Sequence, residues 1–519
     1  MRPKLRHSLL FGAMGLAGAA LGCSAAVGDD GTDETVDALT TNVSFPDAFG
    51  TVKVISTDTV KGIDLNNPFF KNLGVNGRTC NSCHKLENAL GISVPTIQAI
   101  FTKTNGLDPI FRINDGSNAP KGPFADTSSV DARRRSFSML LNHGVIRVGI
   151  GVPAAADFKL LLALDPYFFA SSAELSLFRR PLPSVNVAFN TLTMWDGRES
   201  EGRPAVRDAL LNQANDATQG HAQRPTPLDN TTRAAIADFQ LKLFSAQGTS
   251  NLVGSFTRKG CDVSQSEEEP GACEPAHGGP TALSKVLTEG VGEDGEDFPK
   301  FTPGINNPFP FGADGKPAAT HNNISFVIFE AWESETLGPR PTVNGVLQDA
   351  TLTKNRGELG DGENIFYTKP MVLKGVPGLN DVSGGAPTIQ GTCTTCHNTP
   401  DVGNHSRARF MNTGTSSPFL ADNPLAVNLV DFPNYVLARN SDGKFVVTTD
   451  PGLALRTGKF RDIGKFKIPN LRGLGSREPF FHNGEARSLT DVVKFYNTRF
   501  HMNLTSEEIR KMVVFLRQT

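Results

Sequence analysis

"GTCTTCHNTP" occupies residues 391–400 and "RTCNSCHKLE" occupies residues 78–87, two copies of one pattern: Cys, two spacers, Cys, His. The chain holds 7 Cys and 10 His in 519 residues. At that content one such pattern arises by chance on the order of once in several hundred sequences, and two far more rarely. The pattern has a physical logic. Two thiols add across the vinyl groups of a haem, and the adjacent His supplies the proximal iron ligand. A structural zinc ion needs four protein ligands, whereas each motif offers two thiols and one close His, so zinc would require both half-sites to combine. The spacing therefore predicts two covalently attached haem c groups, one on Cys80, Cys83 and His84 and one on Cys393, Cys396 and His397.

The other cysteines fit an exported chain. A basic start (Arg2, Lys4, Arg6) precedes an apolar run from Leu9 to Leu21 and then Cys23. That run is too short to span a bilayer and reads as a signal peptide over residues 1–22. The ending "ALGC" resembles a lipoprotein signal, so Cys23 is the expected lipid anchor, with cleavage without lipid as the alternative; Ala20 stands where Leu is usual. The expected location is the periplasm or cell envelope, anchored to the outer membrane. Cys261 and Cys273 lie in a polar stretch, and an oxidising compartment makes a local disulfide their default. The formal charge of −2 gives no reason to expect a nucleic-acid partner. With 35 Phe against 4 Tyr and 2 Trp, each Tyr and Trp merits separate inspection.

Composition and periodicity divide the chain into a polar tether (23–45), an N-terminal haem domain (46–245), a Gly-, Pro- and acid-rich insertion (246–350) and a C-terminal haem domain (351–519). "RAAIADFQLKLFSAQ" sets Ile236, Phe239, Leu243 and Phe244 at helical spacing. "SLTDVVKFYNT" puts Leu489, Val492, Val493 and Tyr496 on one face. "LTSEEIRKMVVFLRQT" offers Thr505 and Glu508 as a capping box, followed by Ile509, Met512, Val513 and Leu516 on one face. No run of alternating strands stands out. The expected fold is mainly α, with two cytochrome c-like haem domains, long irregular loops and an insertion.

Two further stretches carry a resemblance. "VNVAFNTLTMWDGRES" (185–200) and "FKIPNLRGLGSREPFFHNGEARSLTDVVKFYN" (466–497) resemble the corresponding segments of bacterial di-haem cytochrome c peroxidases, with both C-x-x-C-H motifs in the expected order. Residues 90–180 and 246–350 fall outside that likeness. They look more like the wider superfamily, which includes MauG-type enzymes and di-haem rubber oxygenases. The resemblance implies a peroxide-using oxidoreductase in which the first haem meets the oxidant and the second handles electrons. It implies that Trp195 relays electrons between the haems, the alternative being an ordinary core Trp. His482 matches a family His near the second haem, where it orients a propionate or ligates iron if Tyr496 does not. Tyr496 stands fourteen residues beyond His482, where the peroxidases place a Met ligand and MauG-type members a Tyr.

The chain also departs from that pattern. No His lies between His143 and Trp195, where peroxidases carry a releasable ligand, so the first haem is expected to be open without reductive activation. The family's distal Gln and Glu are not in their usual frame. Instead "LLNQANDATQGHAQ" supplies Gln213, Asp216 and His221, of which Gln213 and His221 are the pocket candidates for moving a proton between peroxide oxygens. The resemblance implies a calcium ion between the domains, but Arg180 stands where the family usually has an Asn, which counts against it. His143 and His405 have no motif behind them and read as structural. The expected oxidant is hydrogen peroxide or dioxygen, and the expected second partner a small redox protein or an extracellular substrate. A di-haem dioxygenase and a non-enzymatic electron-transfer cytochrome are the alternatives.

Overall fold

The computed structural model describes residues 42–203, 205–256, 328–329, 332–337, 342–343, 346–347, 349–382, 386–397, 401–403, 409–421 and 423–519. The signal, most of the tether, the Cys261/Cys273 pair and His405 lie outside the described residues.

The C-terminal core forms as the sequence leads one to expect. Ser488 caps the helix Leu489–Arg499 with Asp491, and Thr505 caps Ser506–Arg517 with Glu508, each a reciprocal capping box. Met512, Val513 and Leu516 are buried, with Ile509 packed partly buried beside them. The long helix Ala350–Thr368 crosses Ser506–Arg517 closely at Gly362, where a Cβ would run into the Lys511 carbonyl. Any larger residue there would push the two helices apart. Cys393, Cys396 and Tyr496 pack against the core these helices enclose.

The first half is built differently, and the expectation of a mainly α fold is met only in part. Strands Asn42–Pro46, Gly50–Ser56, Leu243–Ser250 and Gly254–Ser255 form an antiparallel sheet in that order. Gly50–Ser56 alternates buried and half-buried positions along its length, the period-2 signature of a strand with one face on a core. Val52 and Val54 from that face pack with Phe69, Ile236 and Phe239 beside Cys80. Two boundaries shift as a result. Residues 42–45, assigned to the tether, begin an edge strand, and Leu243 and Phe244 belong to a strand running across residue 245 and not to the preceding helix, which ends at Leu241.

Two smaller antiparallel sheets position the site. Ile146–Ile150 pairs with Leu175–Arg179, every residue of which is buried, and this strand leads Arg179 and the following Arg180 into the wall of the first cavity. Phe158–Leu164 pairs with Asn434–Arg439, tying a strand from the first half to one from the second. Among the described residues no helix is long and apolar enough to cross a membrane.

Candidate functional site

The two C-x-x-C-H segments fold into the same local turn. Thr79 and Thr392 precede short 3-10 turns, Cys80–Ser82 and Cys393–Thr395. In each, the Thr backbone N–H donates to a hydroxyl three residues on, Ser82 Oγ at 3.1 Å and Thr395 Oγ1 at 3.0 Å. His84 N–H then donates to Cys80 O at 3.0 Å, and His397 N–H to Cys393 O at 2.9 Å. Each turn therefore presents both thiols and the His from one rigid loop.

Backbone carbonyls orient both imidazoles. His84 Nδ1 lies 3.1 Å from Leu90 O and 3.1 Å from Ser184 Oγ, and His397 Nδ1 lies 3.0 Å from Val402 O. A carbonyl only accepts, so Nδ1 carries the proton and Nε2 keeps its lone pair, the tautomer a metal ligand requires. Leu90 and Val402 both adopt left-handed backbone, φ 47° and 56°, which is unusual for bulky or β-branched residues. Burial draws both imidazoles down to about 4, so they are neutral at physiological pH. The same burial pushes the four thiols up, Cys83 to about 11 and the other three to about 12. No three His, Cys, Asp or Glu side chains converge on a metal-sized point among the described residues.

The His84 and His397 turns line separate cavities, of about 1460 and 1500 Å³ including their open mouths, so the two half-sites cannot join around one zinc ion. Each wall is chiefly apolar, with the Cys pair and His set into it. Such a shape and lining fit a flat apolar macrocycle held by two thioether bonds and a His. A further sign of fit is His482 in the second cavity, whose buried Nε2 has no hydrogen-bond partner among the described residues.

Trp195 lines both cavities. Its indole N–H donates to Arg180 O at 2.8 Å, and its carbonyl accepts from Lys467 N–H at 2.9 Å. His482 meets the indole edge-on at 6.1 Å between centroids and stacks on Phe466 at 4.0 Å. Burial draws His482 to about 4, keeping it neutral. Met194 and Phe481, immediately before Trp195 and His482, are also left-handed, φ 65° and 67°. Lys467 is buried and lines both cavities as well, and burial, opposed by Asp401, draws its ammonium down to about 8. Beneath this wall Arg179 donates to Asp196 at 2.6 Å and to both oxygens of Asp450 at 2.6 and 2.9 Å. Burial alone would raise the Asp196 carboxyl, but the Arg179 and Arg198 guanidiniums outweigh it and hold it at about 2.

Gln213 and His221 line the first cavity with His84, and Asp216 does not. Gln213 sits on the helix Val206–Gly220, and His221 caps the C-terminal end of that helix. The His221 Nδ1 lies 2.6 Å from Asp115 Oδ2, and Asp115 is paired with the buried Arg78. Burial would raise the Asp115 carboxyl, but Arg78 and His221 together hold it below its ordinary value. Tyr496 lines the second cavity with His397, its ring edge-on to Phe481 and Phe495 and stacked on Phe500. Burial, with Cys396, Cys393 and Glu485 adding to it, pushes its hydroxyl upward, so it stays protonated unless a cation takes up the oxygen. His143 lies outside both cavities, edge-on to Phe432 at 4.9 Å, in keeping with a structural role.

Arg180, the residue that counts against calcium in the sequence, is tied into the backbone between the cavities. Its guanidinium is buried and donates to four backbone carbonyls, those of Ile92, His143, Gly144 and Arg477. Asp115, Ser184, Lys467 and the Arg179–Asp450 pair were not singled out from the sequence. A Lys or Asp alone carries no motif, and their partners are distant in the chain, 106 residues for Asp115 and His221.

No family model matches the chain. Curated relatives do. A cytochrome-c peroxidase of Pseudomonas sp. (strain SCT) is 31% identical over 210 residues, covering 36% of this chain and 51% of that protein. One from Denitromonas iodatirespirans is 32% identical over 136 residues, 24% of this chain and 35% of the relative. The cytochrome c551 peroxidase of Nitrosomonas europaea is 29% identical over 127 residues, 24% and 29% of the two chains. The matches thus span about half the length of these relatives or less. The curated homologues of this chain are bacterial cytochrome c peroxidases at about 30% identity, consistent with the di-haem peroxidase superfamily.

Proposed function

We propose that the chain is an exported di-haem c-type oxidoreductase of peroxidase type, reducing hydrogen peroxide in the first cavity with electrons passed through the wall that carries Trp195. The observation that carries this reading is that each C-x-x-C-H turn lines its own cavity while Trp195 lines both. Two haem c groups, on Cys80, Cys83 and His84 and on Cys393, Cys396 and His397, supply the redox chemistry when bound.

The protein's own part is proton handling, orientation and insulation. Cleaving peroxide between its oxygens requires a proton to leave one and reach the other. His221 suits this task, because Asp115 fixes its Nδ1–H and leaves Nε2 to take up and return a proton. Gln213 donates an amide hydrogen bond to the bound oxidant. Leu90 and Val402 hold the His84 and His397 rings through Nδ1, leaving each Nε2 free to hold a haem iron. Trp195, fixed at its N–H by Arg180 and at its carbonyl by Lys467, is the electron relay. Tyr496 would hold the iron of the second centre through its oxygen, and His482 would orient a propionate there. A small redox protein supplies electrons, and Cys23 carries a lipid.

The test uses purified full-length protein. Peptide mass analysis after denaturation is expected to find haem on both Cys pairs, and EPR of the oxidised protein a high-spin signal that cyanide converts to low spin. Hydrogen peroxide is then expected to change the Soret band without prior half-reduction. Two low-spin irons inert to peroxide would assign the chain to electron transfer alone. A stable dioxygen complex with cleavage of an added polymer would assign it to the oxygenases.

A further inference from the structure

We infer that the guanidinium of Arg180 occupies the seat that calcium takes in the proteins this chain resembles, so that a side-chain cation, and not a metal ion, locks the wall between the two cavities. Four backbone carbonyls converge on it. Nη1 donates to His143 O at 3.1 Å and Gly144 O at 3.3 Å, and Nη2 to Ile92 O at 2.6 Å and Arg477 O at 2.9 Å. Oxygens of this kind are what calcium gathers, six to eight of them at about 2.3–2.6 Å. A buried guanidinium is ordinarily met by a carboxylate, because an uncompensated charge in the interior is costly. Here the guanidinium's acceptors are carbonyls, and Arg180 has no salt-bridge partner among the described residues. Carbonyl dipoles pointing at one site make it a cation seat whatever cation fills it.

The cradle is shaped for this side chain. Gly144 is left-handed, φ 62°, and a Cβ there would collide with Arg180 Nη1. Burial, with Arg477 nearby adding to it, draws the guanidinium down to about 9, which leaves it charged at neutral pH. A calcium ion in the same cage would face that charge directly. The position also matters for the reading proposed above. Arg180 N–H donates to His482 O at 2.7 Å, and Arg180 O accepts the Trp195 indole N–H at 2.8 Å. Arg180 is therefore a positioning residue, holding Trp195 and the His482 segment to the carbonyls of Ile92, His143 and Gly144.

The experiment compares the haem-loaded wild type with Arg180→Asn and Arg180→Met, each in excess EGTA and in millimolar calcium. Wild-type melting temperature and haem spectra are expected to be the same in both, and calorimetric titration with calcium chloride alone to show no saturable site. Arg180→Asn is expected to melt several degrees lower in EGTA and to recover part of that loss with calcium, whereas Arg180→Met stays low in both. Stoichiometric calcium binding to the wild type, or a wild-type melting point that falls in EGTA, would overturn the inference. So would an Arg180→Asn variant indifferent to calcium. Should neither variant fold, the wild-type titration decides alone. The readout does not depend on peroxidase activity, so it can fail while the functional reading stands.

Discussion

Replacing His221 with Gln isolates proton transfer from everything else the first cavity does. The side chain is 38% exposed and has one strong partner, Asp115 at 2.6 Å. Losing that one hydrogen bond costs stability about 1–2 kcal/mol, and Arg78 remains to neutralise the Asp115 carboxylate. His84, on its own loop with its own carbonyl anchor, is untouched. The chemical step is another matter. A positioned acid–base group contributes about 10²–10⁴ in rate, which is about 3–5 kcal/mol of barrier. In free energy, the rate effect is thus expected to exceed the stability effect about twofold or more. The assay is stopped-flow mixing of the oxidised protein with hydrogen peroxide, following the Soret band at several peroxide concentrations, beside a thermal melt. Asp115→Asn keeps an acceptor for Arg78 but weakens the orientation of His221, so it is expected to fall between wild type and His221→Gln. If His221→Gln reacts within about threefold of wild type while melting normally, His221 is a bystander and proton transfer is carried by another group or by water.

Trp195→Phe removes the donor to a buried carbonyl, Arg180 O, and is expected to cost about 1–3 kcal/mol in stability. It should also slow re-reduction of the first centre after peroxide while leaving the initial peroxide rate unchanged; equal re-reduction rates would remove Trp195 from the electron path. For Tyr496→Met, spectroelectrochemistry is expected to show a higher potential at the second centre, because neutral sulfur favours ferrous iron more than an anionic oxygen does. An unchanged potential and spectrum would show that Tyr496 is not a ligand. Asp196 has its carboxyl lowered from 3.8 to about 2 by Arg179 and Arg198 against burial. A depressed folded pKa gives stability that is present above pH 4 and lost as pH falls towards 2, about 2 kcal/mol in all. Urea melts of wild type and Asp196→Asn across that window should converge at the acid end, and parallel curves would contradict the assignment.

The parts of the molecule legible in the sequence are those whose partners lie within a few residues. The two C-x-x-C-H turns, the Ser506–Arg517 capping box and the apolar face behind it all close locally. The strands were harder to see for two physical reasons. Leu175–Arg179 is buried on both faces and so has no alternation to find, and Leu243 and Phe244 continue a helical spacing by coincidence before the chain turns into a strand. Gly50–Ser56 did carry the alternation, with Val52 and Val54 inward, and that signal was readable. Within the site, Gln213 and His221 line the first cavity, His482 and Tyr496 the second, and Trp195 both. What gives them geometry was not legible. The pairing of Asp115 with His221 arises only when distant segments meet, and the residue types at Leu90 and Val402 give no sign of their left-handed bends.

Lys467 has a consequence that neither cavity shows when considered alone. Its side chain lines both, and it sits in the partition with its backbone on Trp195. With a haem bound in each cavity as proposed, a charge in that place would act on both irons and offset their two potentials in the same direction. Substitution at Lys467 is accordingly expected to slide the whole couple along the redox scale, as a redox titration of Lys467→Gln would record, whereas changes at His221 or Tyr496 tilt it. On the proposed reading, the wall would give the protein one residue for matching an outside partner and others for setting the internal gradient.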